Sequence, residues 1–261
     1  MRLITLTTDF GTQDWFVGVM KGVIMSLSPQ AMCIDLTHDI PPGDVRAGAF
    51  ALASSYAYFP RGTVHLAVVD PGVGTDRAAI AVATDSYLFV GPDNGVLSLA
   101  LQRETVRACH RLENPDFFRQ PVSTTFHGRD IFAPIAAHLT RGVLLEEMGP
   151  PHPAPVQIEW PRPVFGLDRV TGVTVYVDRF GNFLTNLPGE EIVQRGGQPR
   201  VKVGRRILPL VSTFQGVAEG EPLAYIGSTG LIEIAVNGGS ARQVLKLKLD
   251  QPVEVTWERA R

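Results

Sequence analysis

Between Leu3 and Thr8 the chain reads LITLTT, an uncharged apolar and threonine run, and a few positions later the period changes. In DWFVGVMKGVIMSL the residues Phe16, Met20, Val23, Ile24 and Leu27 recur at three- and four-residue spacing. The first pattern predicts a buried strand and the second an amphipathic helix, with Asp14 standing where an N-cap belongs. The alternation continues: AMCIDLT reads as a strand, DVRAGAFALASSYAYF as a helix, HLAVVD, AAIAVAT and YLFVGP as strands, and GVLSLALQ as a helix. Strands separated by helical crossovers predict an α/β domain over residues 1–150, with a mainly parallel, covered sheet whose ligands gather at the carboxyl ends of strands. Asp9 and Asp70 both stand at such ends.

The stretch GPPHPAPVQIEWPRP, from Gly149 to Pro163, carries six prolines. Proline neither continues a helix nor sits in a central strand, so residues 151–164 read as a linker. Beyond it VTVYVD, FLTNL, RVKVG, RILPLV, LAYIG, LIEIAV, VLKLKL and VEVTW are short β-type runs between Gly, Pro and Asn turns. Residues 165–261 are therefore expected to form an all-β, barrel-like C-terminal domain.

Composition narrows the function. With 261 residues, 44% of them hydrophobic, the chain can furnish a real core. The 24 basic and 26 acidic residues leave a formal charge of −2, without the basic footprint that nucleic-acid binding relies on. The longest apolar runs, such as IFAPIAAHL, fall short of the roughly 20 residues that span a bilayer, and the N-terminus lacks a signal-peptide pattern. The expectation is a soluble, cytoplasmic protein with no membrane and no nucleic-acid partner. Cys33 and Cys109 lie in unrelated segments, which suits two unpaired core thiols better than a disulfide or a metal knuckle.

Four segments hold polar residues that packing alone explains poorly: TTDFGTQD, VVDPGVGTDR, TTFHGRD and VDRFGNFLTN. In the second, Asp70 ends a strand, PGVG turns the chain, and Arg77 opens the returning run. A guanidinium there favours the ionised carboxylate and keeps Asp70 an acceptor at neutral pH; a turn-stabilising Asp before Pro is the plainer reading. His127 precedes a helix, with Asp130 three residues on as a candidate cap. His127, Asp130, Asp9 and Asp70 have no metal-ligand spacing, and PGVGTD lacks the Lys of a phosphate loop. Asp178, Phe180 and Asn182 offer an aromatic ring beside an amide, the pairing an adenine needs, although the same residues suit a Gly-Asn hairpin turn.

In order along nearly the whole chain, TTDFGTQD, DLTHDIPPGDV, VVDPGVGTDR, GPDNGVLS, FHGRDIFAP, VDRFGNFLTN and YIGSTGLIEIAVNGG resemble one family, the S-adenosylmethionine hydroxide adenosyltransferases, which also includes the fluorinase and chlorinase. The resemblance implies that Asp70, Arg77 and His127 hold an attacking water and that Asp9 binds the ribose hydroxyls. It implies that Asp178, Tyr225 and Ser228 hold the methionine end, and that Phe180, Asn182 and Phe214 surround adenine. The Val236-Asn237-Gly238 backbone would complete the adenine contacts, and Glu233 would line the pocket. It further implies a homotrimer with each site between the N-terminal domain of one subunit and the C-terminal domain of a neighbour.

The chemistry so implied is hydrolysis of S-adenosyl-L-methionine to adenosine and L-methionine by in-line attack of water at C5′, with selectivity for one sulfonium epimer an open point. A sulfonium leaves as a neutral thioether without acid assistance, so the task is to place the water and exclude the rest. Asp70 and His127 would orient the water and accept its proton while Arg77 fixes Asp70. No metal and no organic cofactor is required. Two other readings stand beside it. A metal-dependent nucleoside hydrolase would need clustered acids, where the N-terminal turn offers only Asp9 and Asp14. A non-catalytic adenosine or S-adenosylmethionine sensor would not need Asp70, Arg77 and His127 together.

Overall fold

The computed structural model describes residues 3–258 and divides into two compact units, Met1–Ile158 and Glu159–Arg261. In the first unit six strands form one sheet: β1 (Leu3–Thr8), β2 (Met32–Thr37), β3 (Val64–Val68), β4 (Ala79–Thr84), β5 (Leu88–Pro92) and β6 (Val106–Arg111), in the order β2-β1-β3-β5-β4-β6. Pairings β1–β2, β1–β3 and β3–β5 are parallel, while β4 runs antiparallel to both β5 and β6. The α-helices are α1 (Phe16–Leu27), α2 (Val45–Ser55), α3 (Ser98–Leu101), α4 (Ala133–Thr140) and α5 (Leu145–Met148). Every residue of β1 and β3 is buried. Met20 and Ile24 of α1 and Ile135 and Ala136 of α4 pack with Ile4, Leu6, Val64, Leu66, Val68 and Val90 in one core.

Asp14 does not cap α1. The cap position is Trp15, already helical in φ and ψ, with no side-chain bond. By contrast Asp44 caps α2, its Oδ1 accepting the Ala47 N–H at 2.9 Å. The Pro-rich stretch is bound to the first unit as far as Ile158. His152 and the Val156 N–H both reach Asp93, at 2.8 and 2.7 Å.

The second unit is antiparallel. Its strands are β7 (Val164–Phe165), β8 (Arg169–Val177), β9 (Phe183–Pro188), β10 (Gln198–Val203), β11 (Arg206–Pro209), β12 (Pro222–Ile226), β13 (Leu231–Val236) and β14 (Pro252–Glu258). They run β11-β10-β14-β8-β9-β13-β12, with β7 beside β8. The first half of β8 pairs with β14 and its second half with β9. A bridge from Leu210 to Ala224, with the Val211 N–H donating to the Ala224 carbonyl at 2.9 Å, brings the β11 and β12 ends together, so the sheet curls into a nearly closed barrel. Its core holds Val170, Phe183, Leu187, Val201, Ile232, Ile234 and Val255.

The run VLKLKL is not a strand. Ser240 caps a helix over Ala241–Leu245, which Lys246 ends in the left-handed region at φ 53°. Of the leucines in this run, Leu245 and Leu247 pack on the barrel core, while Leu249 is exposed. Among the described residues no helix is long and apolar enough to cross a membrane.

Candidate active site

Register decides which residues share the carboxyl edge of the first sheet. Thr8 pairs with Val68, so the residues that follow, Asp9 and Val69-Asp70, leave adjacent parallel strands side by side. Asp9 Oδ2 accepts the Gly43 N–H at 2.8 Å from the loop HDIPPGD. That loop is itself tied down by His38, whose Nδ1 lies 2.8 Å from Thr8 Oγ1 and whose carbonyl takes the Gly11 N–H at 2.8 Å.

Asp70 and Arg77 form a two-pronged pair across the PGVG turn. Arg77 Nε donates to Oδ1 at 2.9 Å and to Oδ2 at 3.1 Å, and Nη2 donates to Oδ2 at 2.5 Å. Arg77 Nη2 also lies 2.7 Å from His127 Nδ1, and its guanidinium sits 5.3 Å from the Phe132 ring centroid. A guanidinium only donates, so Nδ1 must be the acceptor, and the proton of neutral His127 is on Nε2. Burial first, and then the Arg77 charge, hold His127 below the ordinary histidine value. This differs from the expectation that His127 accepts a proton from water. Its Nδ1 lone pair is committed to Arg77, and its Nε2 carries a hydrogen to give.

The loop bearing His127 has its own framework. His127 stands at the N-cap position of a π-helical turn, Gly128–Phe132, that runs into α4, without a side-chain capping bond. Asp130 is not a helix cap but a fully buried carboxylate. It accepts the Ser123 N–H at 2.9 Å and Arg129 Nε and Nη2 at 2.6 and 2.7 Å. Although burial works to raise it, the bonds from Arg129 and Ser123 keep Asp130 below the ordinary carboxylate value. The loop also touches the Asp70–Arg77 turn at Gly74. With φ +77° and a would-be Cβ 2.3 Å from the Thr124 carbonyl oxygen, Gly74 admits no side chain.

The second unit holds a cavity of about 850 Å³. Asp178, Phe180, Asn182, Phe214, Tyr225, Ser228, Glu233, Val236 and Gly238 all line it, together with Leu184, Thr229 and Gly239, which the sequence reading missed. Asp178 and Asn182 close the β8–β9 hairpin: the Asn182 N–H and Nδ2 donate to the Asp178 carboxylate at 2.8 and 3.0 Å. Asn182 is thus both the turn residue and a cavity residue. Phe180, 76% exposed, stands at the rim, and the Phe214 and Tyr225 rings meet at 5.0 Å.

Tyr225 and Glu233 are directly opposed in the β12–β13 register, and the phenol donates to Glu233 Oε2. Burial and Asp178 push the Glu233 carboxyl up, against the lowering effect of the Tyr225 bond. Burial and the bond to Glu233 push the phenol up as well. Gly227 makes room for this carboxylate, since a Cβ there would lie 1.8 Å from Glu233 Oε1. Asn237 spends its N–H on Glu221, its carbonyl on Gly220 and its side chain on Val217. The backbone wall of that stretch therefore falls to Val236 and Gly238. Among the described residues no three His, Cys, Asp or Glu side chains converge as metal ligands. Cys33 and Cys109 are both free thiols, and burial pushes Cys109 up to about 11.

Comparison with known proteins gives a consistent picture. Residues 4–149 match the SAM hydroxide adenosyltransferase N-terminal domain, and residues 172–254 match the SAM hydroxide adenosyltransferase C-terminal domain. The (R)-S-adenosyl-L-methionine hydrolase of Thermus thermophilus is 43% identical over 98% of this chain and 100% of its own length. A fluorinase from an Actinoplanes species is 27% identical over 97% of each chain. The crystal structure of an uncharacterized conserved protein from Thermotoga maritima superposes with a TM-score of 0.91 at 39% identity, covering 97% of this chain and 99% of that one.

Proposed function

The chain belongs to the SAM hydroxide adenosyltransferase family, and from that premise we propose that it hydrolyses S-adenosyl-L-methionine, in the (R)-sulfonium form, to adenosine and L-methionine. The observation that carries this reading is the Asp70–Arg77 pair with His127 on the same Nη2 of the guanidinium.

Water between these groups gives one O–H to Asp70 and accepts the Nε2–H of His127, which leaves its remaining lone pair for C5′. As the O–C5′ bond forms, the C5′–S bond breaks and its electron pair stays on sulfur, which leaves as neutral thioether. The water proton passes to Asp70. Arg77 holds the carboxylate in line and neutral His127 in its Nε2–H form, so the groups need no reorganisation during the reaction. No metal or organic cofactor enters the step.

Asp9 takes the ribose hydroxyls. In the cavity of the second unit Phe180, Asn182 and Phe214 surround adenine, while Asp178, Tyr225 and Ser228 hold the amino-acid end and Val236, Gly238 and Glu233 complete the wall. The two residue sets lie on separate units, which supports a homotrimer whose sites draw on two copies; light scattering should give three copies, and a fully active monomer would remove that assembly. Incubation with each sulfonium epimer in EDTA, with adenosine followed by chromatography, tests the function itself. Adenosine from the (R)-form is expected. Binding without turnover would mean a sensor, and activity that needs an added divalent ion would mean a metal-dependent hydrolase.

A further inference from the structure

One turn holds both flanks of the Asp70–Arg77 pair. Strands β3 and β5 pair only as far as Leu66 and Val90. Gly91 then comes so near the Ala67 carbonyl that a Cβ would lie 2.5 Å from its oxygen. The fully buried Val69, immediately before Asp70, lies beyond the last paired residue of β3. Asn94 Nδ2 donates to the Val69 carbonyl at 2.8 Å, while Asn94 Oδ1 accepts the Val96 N–H at 3.1 Å. On the other flank the Asp93 N–H donates to the carbonyl of Ala78, next to Arg77, at 2.8 Å. The Asp93 carboxylate is in turn fixed by His152 Nε2 at 2.8 Å and the Val156 N–H at 2.7 Å.

We propose that Asn94 is a positioning residue for hydrolysis: by holding the Val69 carbonyl it sets the direction in which Asp70 leaves β3, while Asp93 steadies the Arg77 flank. The inference rests on the hydrolase reading of the pair. A carboxamide is suited to this place because it gives an N–H to one backbone group and takes one from another. Aspartate keeps the acceptor for Val96 but turns an oxygen against the Val69 carbonyl. Alanine leaves that buried carbonyl without a partner. Either change frees the peptide that carries Asp70, and misplacement of a reacting group by about 1 Å costs on the order of a hundredfold in rate.

The test uses the full-length protein with Asn94→Ala and the near-isosteric Asn94→Asp, so that a folding failure of one leaves the other. Adenosine formation should show kcat lowered by roughly tenfold to a hundredfold with KM and adenosine affinity unchanged. In an Asp70→Asn background the same substitutions should change kcat little, because the effect passes through Asp70. Independently of turnover, the Arg77 Nε–H resonance, assigned by its loss in Arg77→Lys, should shift in both Asn94 variants. Unchanged kcat, a matching rise in KM, or an undiminished loss in the Asp70→Asn background would overturn the proposal. Should the wild-type protein form no adenosine, the hydrolase reading fails on its own, and an unmoved Arg77 resonance would then overturn the positioning role while a shifted one supports it.

Discussion

Replacing Asp70 by asparagine keeps the side-chain shape and removes the charge, which separates the acceptor from the space it fills. The Asp70 side chain is 5% exposed and the Arg77 side chain 11%, and the carboxylate receives three N–H contacts from the guanidinium. Asparagine keeps one oxygen acceptor and sets an NH₂ against a donor-only partner. Removing one member of such a buried pair costs roughly 3–5 kcal/mol, and the retained oxygen puts this variant near the lower figure, about 3 kcal/mol. The rate effect is separate. Loss of a positioned proton acceptor lowers kcat by about 10²–10⁴-fold, equivalent to roughly 3–5 kcal/mol of barrier. Urea unfolding would read the first quantity. Steady-state adenosine formation by the folded variant would read the second, and calorimetry with adenosine should give near wild-type affinity because the proposed nucleoside contacts lie elsewhere. Two results would refute the reasoning: a folded Asp70→Asn protein within about tenfold of wild-type kcat, or adenosine affinity falling in step with the rate. The first would remove Asp70 from proton acceptance, and the second would make it a binding residue.

Asp9→Ala should raise KM and weaken adenosine binding with a smaller effect on kcat, because ribose contacts are shared by substrate and transition state; unchanged adenosine affinity would show that Asp9 does not meet the ribose. High fluoride or chloride should yield adenosine and no 5′-halo-5′-deoxyadenosine, since a halide about 4 Å from ionised Asp70 meets roughly 4 kcal/mol of repulsion at an effective dielectric near 20. Mass spectrometry that finds the halo nucleoside as main product would defeat this. His65 is fully buried with Nδ1 2.7 Å from Thr5 Oγ1, and burial pushes it down to about 3. Because this lies below the unfolded value near 6.5, its contribution is complete above pH 6.5 and is lost as pH falls toward 3, about 2 kcal/mol between pH 7.5 and 5. Urea midpoints should show that loss in the wild type and lack it in His65→Phe, and an equal pH dependence in both would refute it.

What could be read ahead of the structure was whatever is local in the chain. The Asp70–Arg77 pair is legible because seven residues with a glycine turn bring the ends of one hairpin-like excursion together. The tie from Arg77 to His127 spans fifty residues and has no local sign. The reversal of β4 is hidden for a different reason, since an apolar run such as AAIAVAT carries no mark of its direction. Asp14 and Asp130 resemble helix caps by position, but burial decides otherwise for Asp130 and the backbone of Trp15 for Asp14. Asn94 carries no sign of its role in the sequence, and only the end of the β3–β5 pairing at Leu66 and Val90 leaves the Val69 carbonyl for it to hold. The cavity residues are the instructive exception. They are scattered from residue 178 to 238, yet the order of the motifs gathers them, because successive antiparallel strands return the chain to the same wall.

The division of labour between the units bears on how such an enzyme can change over generations. Asp70, Arg77 and His127 depend on loops of the first unit, and the 850 Å³ cavity depends on strands and turns of the second. Under the proposed mechanism, mutations that alter what attacks C5′ therefore need not disturb the cavity, and drift in the cavity need not disturb the nucleophile. On that proposal each half can be sampled by selection while the other remains serviceable, so a lineage would cross from one nucleophile to another without passing through an ancestor that has lost its grip on the nucleoside.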